Sequence, residues 1–600
     1  MIKLSDYVMQ FVAYQGVGHV FMVPGGGAMH LNDSLGKQKD LEYVCNLHEQ
    51  ASSIAAEAYA RVTNNLGVAL VTTGPGGTNA ITGLVGAWLD STPCLFISGQ
   101  VKRSDLMTGR GVRQLGVQEV DIISMVQSVT KYAATILDPA TIRYHLEKAM
   151  FLARHGRPGP VWLDIPLDVQ AAMIDPDKLE KFIPDNEADN ETEHLQEQVK
   201  NVIALLSKAE RPVILVGNGV RLASAEENFI SLVNQLNIPV LTTRLGVDLI
   251  PADHPLCFGM PGSIAPRSAN FILQNSDFLL ILGARLDMAL IAYAPEKLAR
   301  AAKKIMVNID AAEIEKVKSI IDVPICSDAN KFIVELIQQA KHSTPPERRA
   351  WLKQCVSWKQ KYPFVLSSYH AETTAVSTYV FSEILSEELP NDCVVLPGNA
   401  GNASELFLTA FSVKAGQRVF HNKGTGAMGF SQPAAIGACL ASGKKLTVCV
   451  DGDGGFQLNI QELEVVKRLG LPIKFFIMNN KGYASIRASQ RNYFKQLTGA
   501  DGSSGMSLPA FSKIASAYEL PFVHIEKHQG MREQIRQVLD QAGPVICDVN
   551  TIQDEPRAPR VSSMQRADGS MVSKPLEDMW PFLDREEFLA NMIIPPLDEN

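Results

Sequence analysis

The 600-residue chain lacks most features of secreted, membrane and nucleic-acid-binding proteins. Its nine cysteines are scattered and form no Cys-x-x-Cys pair, which argues against a disulfide framework and against a zinc site. No apolar run approaches the ~18 residues that a membrane span needs. The N-terminus, "MIKLSDYVMQFVAYQG", predicts an amphipathic helix and lacks the apolar core and cleavage site of a signal peptide. We therefore expect a cytoplasmic protein with buried free thiols and no membrane partner.

Positive charge is also scarce, with 56 Lys and Arg against 64 Asp and Glu and a formal net charge of -8. Without a basic run or a basic-aromatic stripe, nucleic acid is not expected as a partner. The hydrophobic fraction of 46% and the charged fraction of 20% are typical of a globular protein. The length suggests three or four domains.

Apolar strand-like runs alternate with helix-length amphipathic segments almost throughout. Near-continuous Val/Ile/Leu strands separated by helices predict parallel sheets that are buried on both faces, which is the α/β class. The runs are "GVALVTTG", "PCLFISGQ", "PVWLDIP", "PVILVGNG", "FLLILGAR", "KIMVNID", "KLTVCVDG", "IKFFIMNN" and "PVICDVN".

Two polar stretches interrupt this pattern, and we interpret both as solvated linkers. They are "DPDKLEKFIPDNEADNETEHLQEQ" and "KHSTPPERRAWLKQCVSWKQKYP". They divide the chain into domains at roughly 1–175, 190–345 and 365–555, followed by a loop-rich tail over 556–600 with a helix near "DREEFLANM". The first and third domains both carry Gly-rich turns after strands and could have related folds.

The segment "VDGDGGFQLNIQELEVVKRLGLPIKFFIMNN" places Gly452-Asp453-Gly454 after one strand and Asn479-Asn480 after the next. Because ligands bind at the carboxyl ends of parallel strands, both turns should meet at one edge of a sheet. A carboxylate, an amide oxygen and a backbone carbonyl are hard oxygen donors that suit Mg2+ holding a diphosphate. A helix after "DGDGGF" would offer N–H groups to the same diphosphate. The alternative is that Asp453 caps a turn and Asn480 caps a helix.

A second glycine motif, "GTGAMG" over residues 424–429, matches Gly-x-Gly-x-x-Gly, with Asp451 about twenty residues on. This spacing is the dinucleotide fingerprint and would indicate a nicotinamide-linked oxidoreductase. However, "RVFHNKG" is a weak lead-in strand, and the fingerprint leaves the Asn-Asn turn unexplained.

In the first domain, "NLHEQASSIAAEAYAR" predicts a helix that opens with His48 and Glu49. Taken alone, Glu49 would be a first-turn glutamate favoured by the helix dipole. It is followed by "TTGPGGTNAITGLVGAWLDSTPCLFISGQ", with Gly74-Pro75-Gly76 at a strand end and Thr78-Asn79 opening a helix.

These segments together resemble the thiamine diphosphate-dependent enzymes, and within them the acetolactate synthase group. Further matching motifs run from "GRPGPVWLDIPLDVQ" to "GAMGFSQPAAIGA" and cover most of residues 1–555. The resemblance implies three doubly wound parallel-sheet domains: pyrimidine-binding, central and diphosphate-binding. It also implies thiamine diphosphate and Mg2+ as cofactors, a 2-keto acid and a carbonyl acceptor as substrates, and an active site shared between two chains of a homodimer or homotetramer.

The resemblance also assigns residues. Glu49 would bind the cofactor's aminopyrimidine and favour the tautomer that removes the thiazolium C2 proton, and Gln118 would be the second catalytic residue. Met428 would wedge the bent cofactor. In FAD-binding members Arg285 and Asp310 would contact the flavin, but Ala289 replaces a family arginine, which leaves FAD open. The implied metal ligands are Asp453, Asn480 and Gly482, and the implied cofactor contacts are Gly26, Pro75, Asn79, Asn402, Gly426, Met428, Gly452, Gly454, Gly455 and Tyr483.

Three residues on the side where the acceptor would bind differ from the pattern of the acetolactate synthase group. Val117 replaces an aromatic residue, Leu167 a lysine and Ser489 a tryptophan. The losses of bulk and charge suggest a wider acceptor pocket than joining two pyruvates needs, with Arg487 and Gln490 as polar contacts. We therefore expect acetolactate synthase-like chemistry, with two alternatives: transfer to a larger acceptor such as a nucleotide-linked ketosugar, or simple decarboxylation. The sequence has no His-His pair of the kind that would protonate the intermediate in a decarboxylase.

A catalytically inactive relative that acts as a regulatory subunit is the alternative from a different class. Glu49, Asp453 and Asn480 are all present, which argues against it.

Overall fold

The protein is described by a computed structural model that covers residues 1–184, 191–341, 346–399, 401–565 and 571–597. Within these residues the chain forms three α/β units and a tail. All nine strand-like runs predicted from the sequence form strands of the three large sheets. No helix in the described ranges is long and apolar enough to cross a membrane. The nine cysteines are free thiols, of which Cys326 is exposed and Cys45 is half-buried.

The first unit contains a six-stranded, all-parallel sheet. The strands, in spatial order, are Glu42–Cys45, His19–Met22, Gly67–Val71, Cys94–Gln100, Val161–Pro166 and Tyr132–Thr135. A short antiparallel pair joins Ile2–Lys3 to Met173–Ile174. The helices are Leu4–Tyr14, Met29–Lys37, Glu49–Thr63, Pro75–Leu89, Ile122–Val126, Ile142–Arg154 and Leu167–Gln170.

The central unit contains a five-stranded parallel sheet. Its spatial order is Val240–Thr242, Pro212–Val216, Phe278–Leu282, Lys303–Asn308 and Val323–Cys326. The helices are Glu191–Leu206, Gly219–Leu222, Glu226–Leu236, Arg267–Gln274, Ala311–Glu315, Ala329–Ala340 and Arg349–Lys361.

The third unit repeats the six-stranded parallel arrangement. Its spatial order is Arg418–Val419, Val394–Pro397, Thr447–Gly452, Ile473–Asn479, Val545–Asn550 and Phe522–Ile525. The helices are Thr378–Glu388, Glu405–Ala410, Ser431–Ala441, Leu463–Arg468, Ala484–Tyr493, Phe511–Ala517 and Met531–Asp540.

The first and third sheets have the same topology. Numbered along each unit, the strands of both lie in the order 2-1-3-4-6-5, so the predicted structural kinship is confirmed. Strands of both sheets bury side chains on both faces, as the apolar runs predicted. In such sheets the order reverses between strands 1 and 3, and ligands bind outside the carboxyl ends of the strands at that point. In both units we therefore expect a ligand at the carboxyl edge of the sheet, near this reversal.

The first and third units pack directly on each other within the chain. Helix Glu49–Thr63 lies against helix Ser431–Ala441, and a Cβ on Gly437 would lie 2.0 Å from the carbonyl oxygen of Ala55. Nearby, the buried guanidinium of Arg61 lies 2.5 Å from a Glu57 oxygen and 2.7 Å from an Asp90 oxygen. Glycine and alanine thus allow close backbone contact, and a buried ion cluster lies beside it.

Both predicted linkers contain helix that the polar composition concealed. Residues 185–190 and 342–345 lie outside the described part of the chain, but Glu191–Leu206 and Arg349–Lys361 are helices. Helix Arg349–Lys361 buries Trp351, Cys355 and Trp358 against the central unit. The linker interpretation was wrong for these residues because the spaced apolar positions outweigh the charges between them.

The C-terminal tail is attached to the back of the central unit. Short antiparallel pairs join Arg560–Val561 to Met579–Trp580 and Ser563–Gln565 to Met571–Ser573. The predicted terminal helix forms over Arg585–Ala590. Beyond it, the Asn591 side chain accepts a hydrogen bond from Trp358 Nε1 at 2.8 Å, which fixes the tail to helix Arg349–Lys361.

Candidate active site

The two polar turns of the third unit meet at one edge of its sheet. Strands Thr447–Gly452 and Ile473–Asn479 are parallel neighbours, and Gly452 pairs with Met478 in register. Asp453 therefore follows one strand where Asn480 follows the next. The Asp453 carboxylate spans the gap, since its Oδ2 accepts the Gly482 N–H at 2.9 Å and its Oδ1 accepts the Gly454 N–H at 2.8 Å.

This pair of turns presents oxygen donors in a buried setting. Asp453 is 1% exposed, and burial raises its pKa to about 6 against the opposing effect of the Gly482, Gly454 and Lys481 N–H groups. The amide oxygen of Asn480 is buried and has no hydrogen-bond partner among the described residues. A buried carboxylate beside an unpartnered amide oxygen is a donor set that fits Mg2+.

The backbone around this edge is tightly packed on one side and open on the other. A Cβ on Gly454 would lie 2.3 Å from the Tyr483 ring, and a Cβ on Gly455 would lie 2.8 Å from Asp451 Oδ1. At Gly452 nothing lies within 4 Å of such an atom, so the open side has room for a ligand. The expected single crossover helix is instead two 3-10 turns, Gly455–Gln457 and Ile460–Glu462, before Leu463–Arg468.

The segment that contains the predicted wedge lies beside the first strand of the same sheet. Asn399 connects the two, because its Nδ2 donates to Ala427 O at 2.8 Å and its Oδ1 accepts the Asn422 N–H at 3.0 Å. The Asn402 amide nitrogen is buried without a partner among the described residues. Gly426 has a φ of +61°, and Met428 is 40% exposed. Met428 is thus available for contact with a ligand rather than packed as core.

In the first unit, the predicted cofactor residues gather at the corresponding edge. Glu49 is the first residue of its helix, and its Oε2 accepts a hydrogen bond from Asn79 Nδ2 at 3.0 Å. Pro75 is the first residue of the helix that carries Asn79. Gly26 begins a 3-10 turn, Gly26–Ala28. The flanking residue Gly27 packs so closely that a Cβ would lie 1.9 Å from the Thr73 hydroxyl.

Gln118 lies against the turn at Gly74, just before Pro75. A Cβ on Gly74, which has a φ of +68°, would lie 2.2 Å from the Gln118 carbonyl oxygen. The neighbouring Glu119 is buried, and its carboxylate accepts N–H groups from Met107, Leu115 and Gly116. Glu119 therefore organises the loop that presents Gln118. Its role was missed because only the folded loop brings these amides to one carboxylate.

The two edges are not bonded to each other within one chain. No hydrogen bond or ion pair of the described residues joins Glu49 to the turns at Asp453 and Asn480. Contacts between the units instead involve residues beside the site, such as Asn459, whose Nδ2 donates to Gln50 Oε1 at 3.0 Å.

Comparison with known proteins identifies the family of this chain. Family models of thiamine pyrophosphate enzymes match residues 2–125 (N-terminal TPP binding domain), 199–336 (central domain) and 399–549 (C-terminal TPP binding domain). The chain belongs to the thiamine pyrophosphate enzyme family.

Curated relatives of this family match along nearly the whole chain. The acetolactate synthase large subunit of Lactococcus lactis subsp. lactis (strain IL1403) is 30% identical over 570 residues, or 94% of this chain and 95% of that protein. An acetolactate synthase of Arthrospira platensis is 31% identical over 559 residues, or 91% and 94% of the two chains. The chloroplastic acetolactate synthase of Arabidopsis thaliana is 30% identical over 577 residues, or 94% and 83%. The protein is therefore an acetolactate synthase-like, thiamine diphosphate-dependent enzyme, and the nicotinamide alternative is not supported.

The central unit of this thiamine pyrophosphate enzyme has a cavity of about 390 Å³ at the carboxyl edge of its sheet. The lining includes Asn218 and Arg244 from the central unit, Arg157 from the first and Lys423 from the third. The Asn218 side-chain oxygen is buried without a partner in the described part of the chain. Burial lowers the pKa of Arg244, although Glu405 and Asp287 oppose the shift.

The two residues proposed to contact a flavin are engaged with other groups. Arg285 donates to a Glu313 carboxylate oxygen at 2.9 Å and to Leu89 O at 2.9 Å. Asp310 accepts a hydrogen bond from Arg157 at 2.8 Å and caps helix Ala311–Glu315 through the Ala312 N–H. Both lie at the carboxyl edge of the central sheet, where Arg244 and Asn218 also line the cavity.

The prediction that Arg487 makes a polar contact with the acceptor was wrong. Its side chain is fully buried and bonded to backbone carbonyls, so it cannot face a substrate pocket. Gln490 holds a loop, since its side chain exchanges hydrogen bonds with the backbone of Thr498 at 3.1 and 2.8 Å. Ser489, by contrast, is exposed, and its hydroxyl donates to Ile486 O.

Proposed function

We propose that this enzyme decarboxylates a 2-keto acid, pyruvate, and transfers the acyl unit to a carbonyl acceptor that is larger than a second pyruvate. The observation that carries the proposal is the pair of edges, with Glu49 hydrogen bonded to Asn79 at one and the Asp453–Asn480 donor set at the other. When bound, thiamine diphosphate supplies the carbon nucleophile and the electron sink for loss of CO2.

The chain's own residues supply positioning and proton transfer. Asp453, the Asn480 amide oxygen and the Gly482 carbonyl would hold Mg2+ and, through it, the diphosphate. Glu49 would hold a proton at the aminopyrimidine, with Asn79 orienting its carboxylate. Met428, which is 40% exposed, would support the bent cofactor. Gln118 would lie at the mouth of the site, on the loop that Glu119 organises.

We further propose that two chains complete each active site, in a homodimer or a homotetramer. Several residues assigned to the site are exposed in the single chain, including Met428 and Gln118, and Val117 is 85% exposed. Exposed apolar side chains around a catalytic edge favour an interface there. The absence of a described bond between Glu49 and the Asp453 turn agrees with this arrangement.

We base the proposal of a wider acceptor pocket on three side chains that are small or lack charge. Val117 and Ser489 are exposed, and Leu167 opens the short helix Leu167–Gln170. A lost lysine and two lost aromatic rings remove bulk and a cation from the side where the second substrate would enter. A larger ketone, such as a nucleotide-linked ketosugar, would fill that space.

Labelled pyruvate incubated with a panel of keto and aldehyde acceptors tests this proposal. We expect label in the adduct of a large carbonyl acceptor, and slow acetolactate formation from pyruvate alone. Rapid acetolactate formation from pyruvate alone would contradict the proposal that the acceptor is larger than pyruvate. Release of free aldehyde as the main product would instead support the simple decarboxylase.

We also propose that the central cavity binds FAD. The cavity lies at the carboxyl edge of a parallel sheet, where nucleotides bind. Arg244 and Asn218 line it, and the Asn218 side-chain oxygen has no partner among the described residues. Because a guanidinium binds phosphate oxygens well, Arg244 is the residue expected to contact the diphosphate.

Flavin content measures this directly. The purified protein should be yellow and release flavin on denaturation, and Arg244→Met should lower the flavin bound per chain by about tenfold, the loss of one charged contact. Arg349→Met is the control, because that side chain is 91% exposed and is not among the residues that line the cavity. A colourless wild-type protein that fails to take up added FAD would rule the cofactor out.

A further inference from the structure

Arg487 is a fully buried cation whose contacts converge on the metal-binding turn. It lies on helix Ala484–Tyr493, which begins directly after that turn, and its side chain is 0% exposed. Nη2 donates to Asn480 O at 2.9 Å, and Nη1 donates to Lys481 O at 3.3 Å. On its other side, Nη2 donates to Gln553 O at 2.6 Å and Nε donates to Asp554 Oδ1 at 3.1 Å.

The turn has a backbone conformation that needs such support. Lys481 has a φ of +63° and Gly482 a φ of +133°, both in a region that is unfavourable for ordinary residues. A Cβ on Gly482 would lie 3.1 Å from Arg487 Nη1 and 2.4 Å from Ala500 O, so the guanidinium is packed against the turn. The planar fork of an arginine can hold two successive carbonyl oxygens, which a lysine ammonium cannot match.

Burying a guanidinium beside backbone carbonyls is costly unless it is well hydrogen bonded. Its carboxylate partner, Asp554, has a side chain that is 46% exposed and also binds Arg491 Nη1 at 2.6 Å. Arg491 lies one turn further along the same helix, with a side chain that is 48% exposed, and its described partner is this carboxylate. The two arginines share one acceptor, but Arg487 alone of the pair contacts the turn among the described residues.

We propose that Arg487 is a positioning residue that holds Asn480 and Gly482 in the geometry that binds Mg2+. It also fastens this turn to the chain at Gln553 and Asp554, just before the C-terminal tail. This inference rests on the proposed magnesium-diphosphate site. It adds that the affinity of the site for Mg2+ depends on a side chain that touches neither the metal nor the cofactor.

The test compares Arg487→Met with Arg491→Met in the full-length enzyme. Binding of thiamine diphosphate is titrated with Mg2+ by calorimetry, and activity with pyruvate is followed at low and saturating Mg2+. Groups behind metal ligands typically contribute 10- to 100-fold in affinity, so Arg487→Met should raise the Mg2+ concentration for half-saturation by about that factor. Arg491→Met should stay within about twofold of wild type, since an exposed ion pair contributes little.

Two features separate positioning from simple loss of stability. Excess Mg2+ should restore most of the activity of Arg487→Met, and the circular dichroism of this variant without Mg2+ should match that of wild type, which a variant that fails to fold would not show. Arg487→Lys keeps the charge but not the fork, so it should fall between wild type and Arg487→Met; it also decides the matter if Arg487→Met fails to fold. Wild-type Mg2+ dependence in Arg487→Lys, or equal shifts in Arg487→Met and Arg491→Met, would overturn the inference. If the wild-type enzyme itself binds thiamine diphosphate without Mg2+, the proposed metal site fails, and the inference fails with it.

Discussion

Replacing Glu49 with glutamine should slow exchange of the C2 proton of bound thiamine diphosphate by at least about 100-fold, within the range lost with a general acid-base group. Glu49 Oε2 is held by Asn79 Nδ2, and Oε1 has no hydrogen-bond partner among the described residues. An amide at this position cannot hold the proton that the aminopyrimidine must exchange. The rate is measured by quenching deuterium exchange and reading the C2 proton by NMR.

The same variant should bind thiamine diphosphate with nearly unchanged affinity, because the diphosphate is held at the other edge. Glu42→Gln is the matched control, since that side chain lies on the preceding strand and is 82% exposed. Exchange in Glu49→Gln at the rate of the control would refute the role of the acid.

Asp453→Asn should abolish Mg2+-dependent binding of thiamine diphosphate. The change removes the buried negative charge and places an NH2 group against one of the two N–H groups, those of Gly482 and Gly454, that now donate to the two carboxylate oxygens. The turn therefore loses an acceptor as well as a charged ligand. We expect activity to fall by more than about 100-fold at any practical Mg2+ concentration.

Calorimetry with and without EDTA checks this result. Asp392→Asn is the control, because Asp392 belongs to the same unit and forms an exposed pair with Lys445. Metal-dependent binding retained in Asp453→Asn would mean that the two turns do not form the cation site.

Together the two inactive variants test whether two chains share each site. In a mixed dimer, one site would combine the intact Glu49 of one chain with the intact Asp453 of the other. If chains pair at random in a twofold dimer, half of the dimers are mixed and half of their sites are intact, which restores about a quarter of wild-type activity. Co-expression that restores no activity would place both residues of each site in one chain.

The fold could be predicted from the sequence because its signals are local. The run "IKFFIMNN" is apolar at every position but Lys474 until the polar pair, so both the strand and its ligand edge are evident in eight residues. Asp453 and Asn480 meet as expected because neighbouring parallel strands end at the same edge. The domain boundaries and the catalytic roles of Glu49 and Gln118 remain predictions.

The parts that could not be predicted depend on distant residues. In the sequence, Arg487 is one cation on a polar helix, and burial against Gln553 and Asp554 appears only after the third unit closes. Trp351 and Trp358 were hidden by the charges around them, and their partner surface belongs to another part of the chain. Buried polar contacts of this kind carry no periodic signal.

The close approach of Gly437 to Ala55 has a consequence for how this enzyme diverges from its relatives. Two backbones in direct contact leave no compressible layer between them, so the helix that begins at Glu49 and its neighbour can shift only as one rigid body. Opening for substrate entry then falls to exposed loops such as the one around Val117. Mutation can remodel those loops for new acceptors while Glu49 stays in its place.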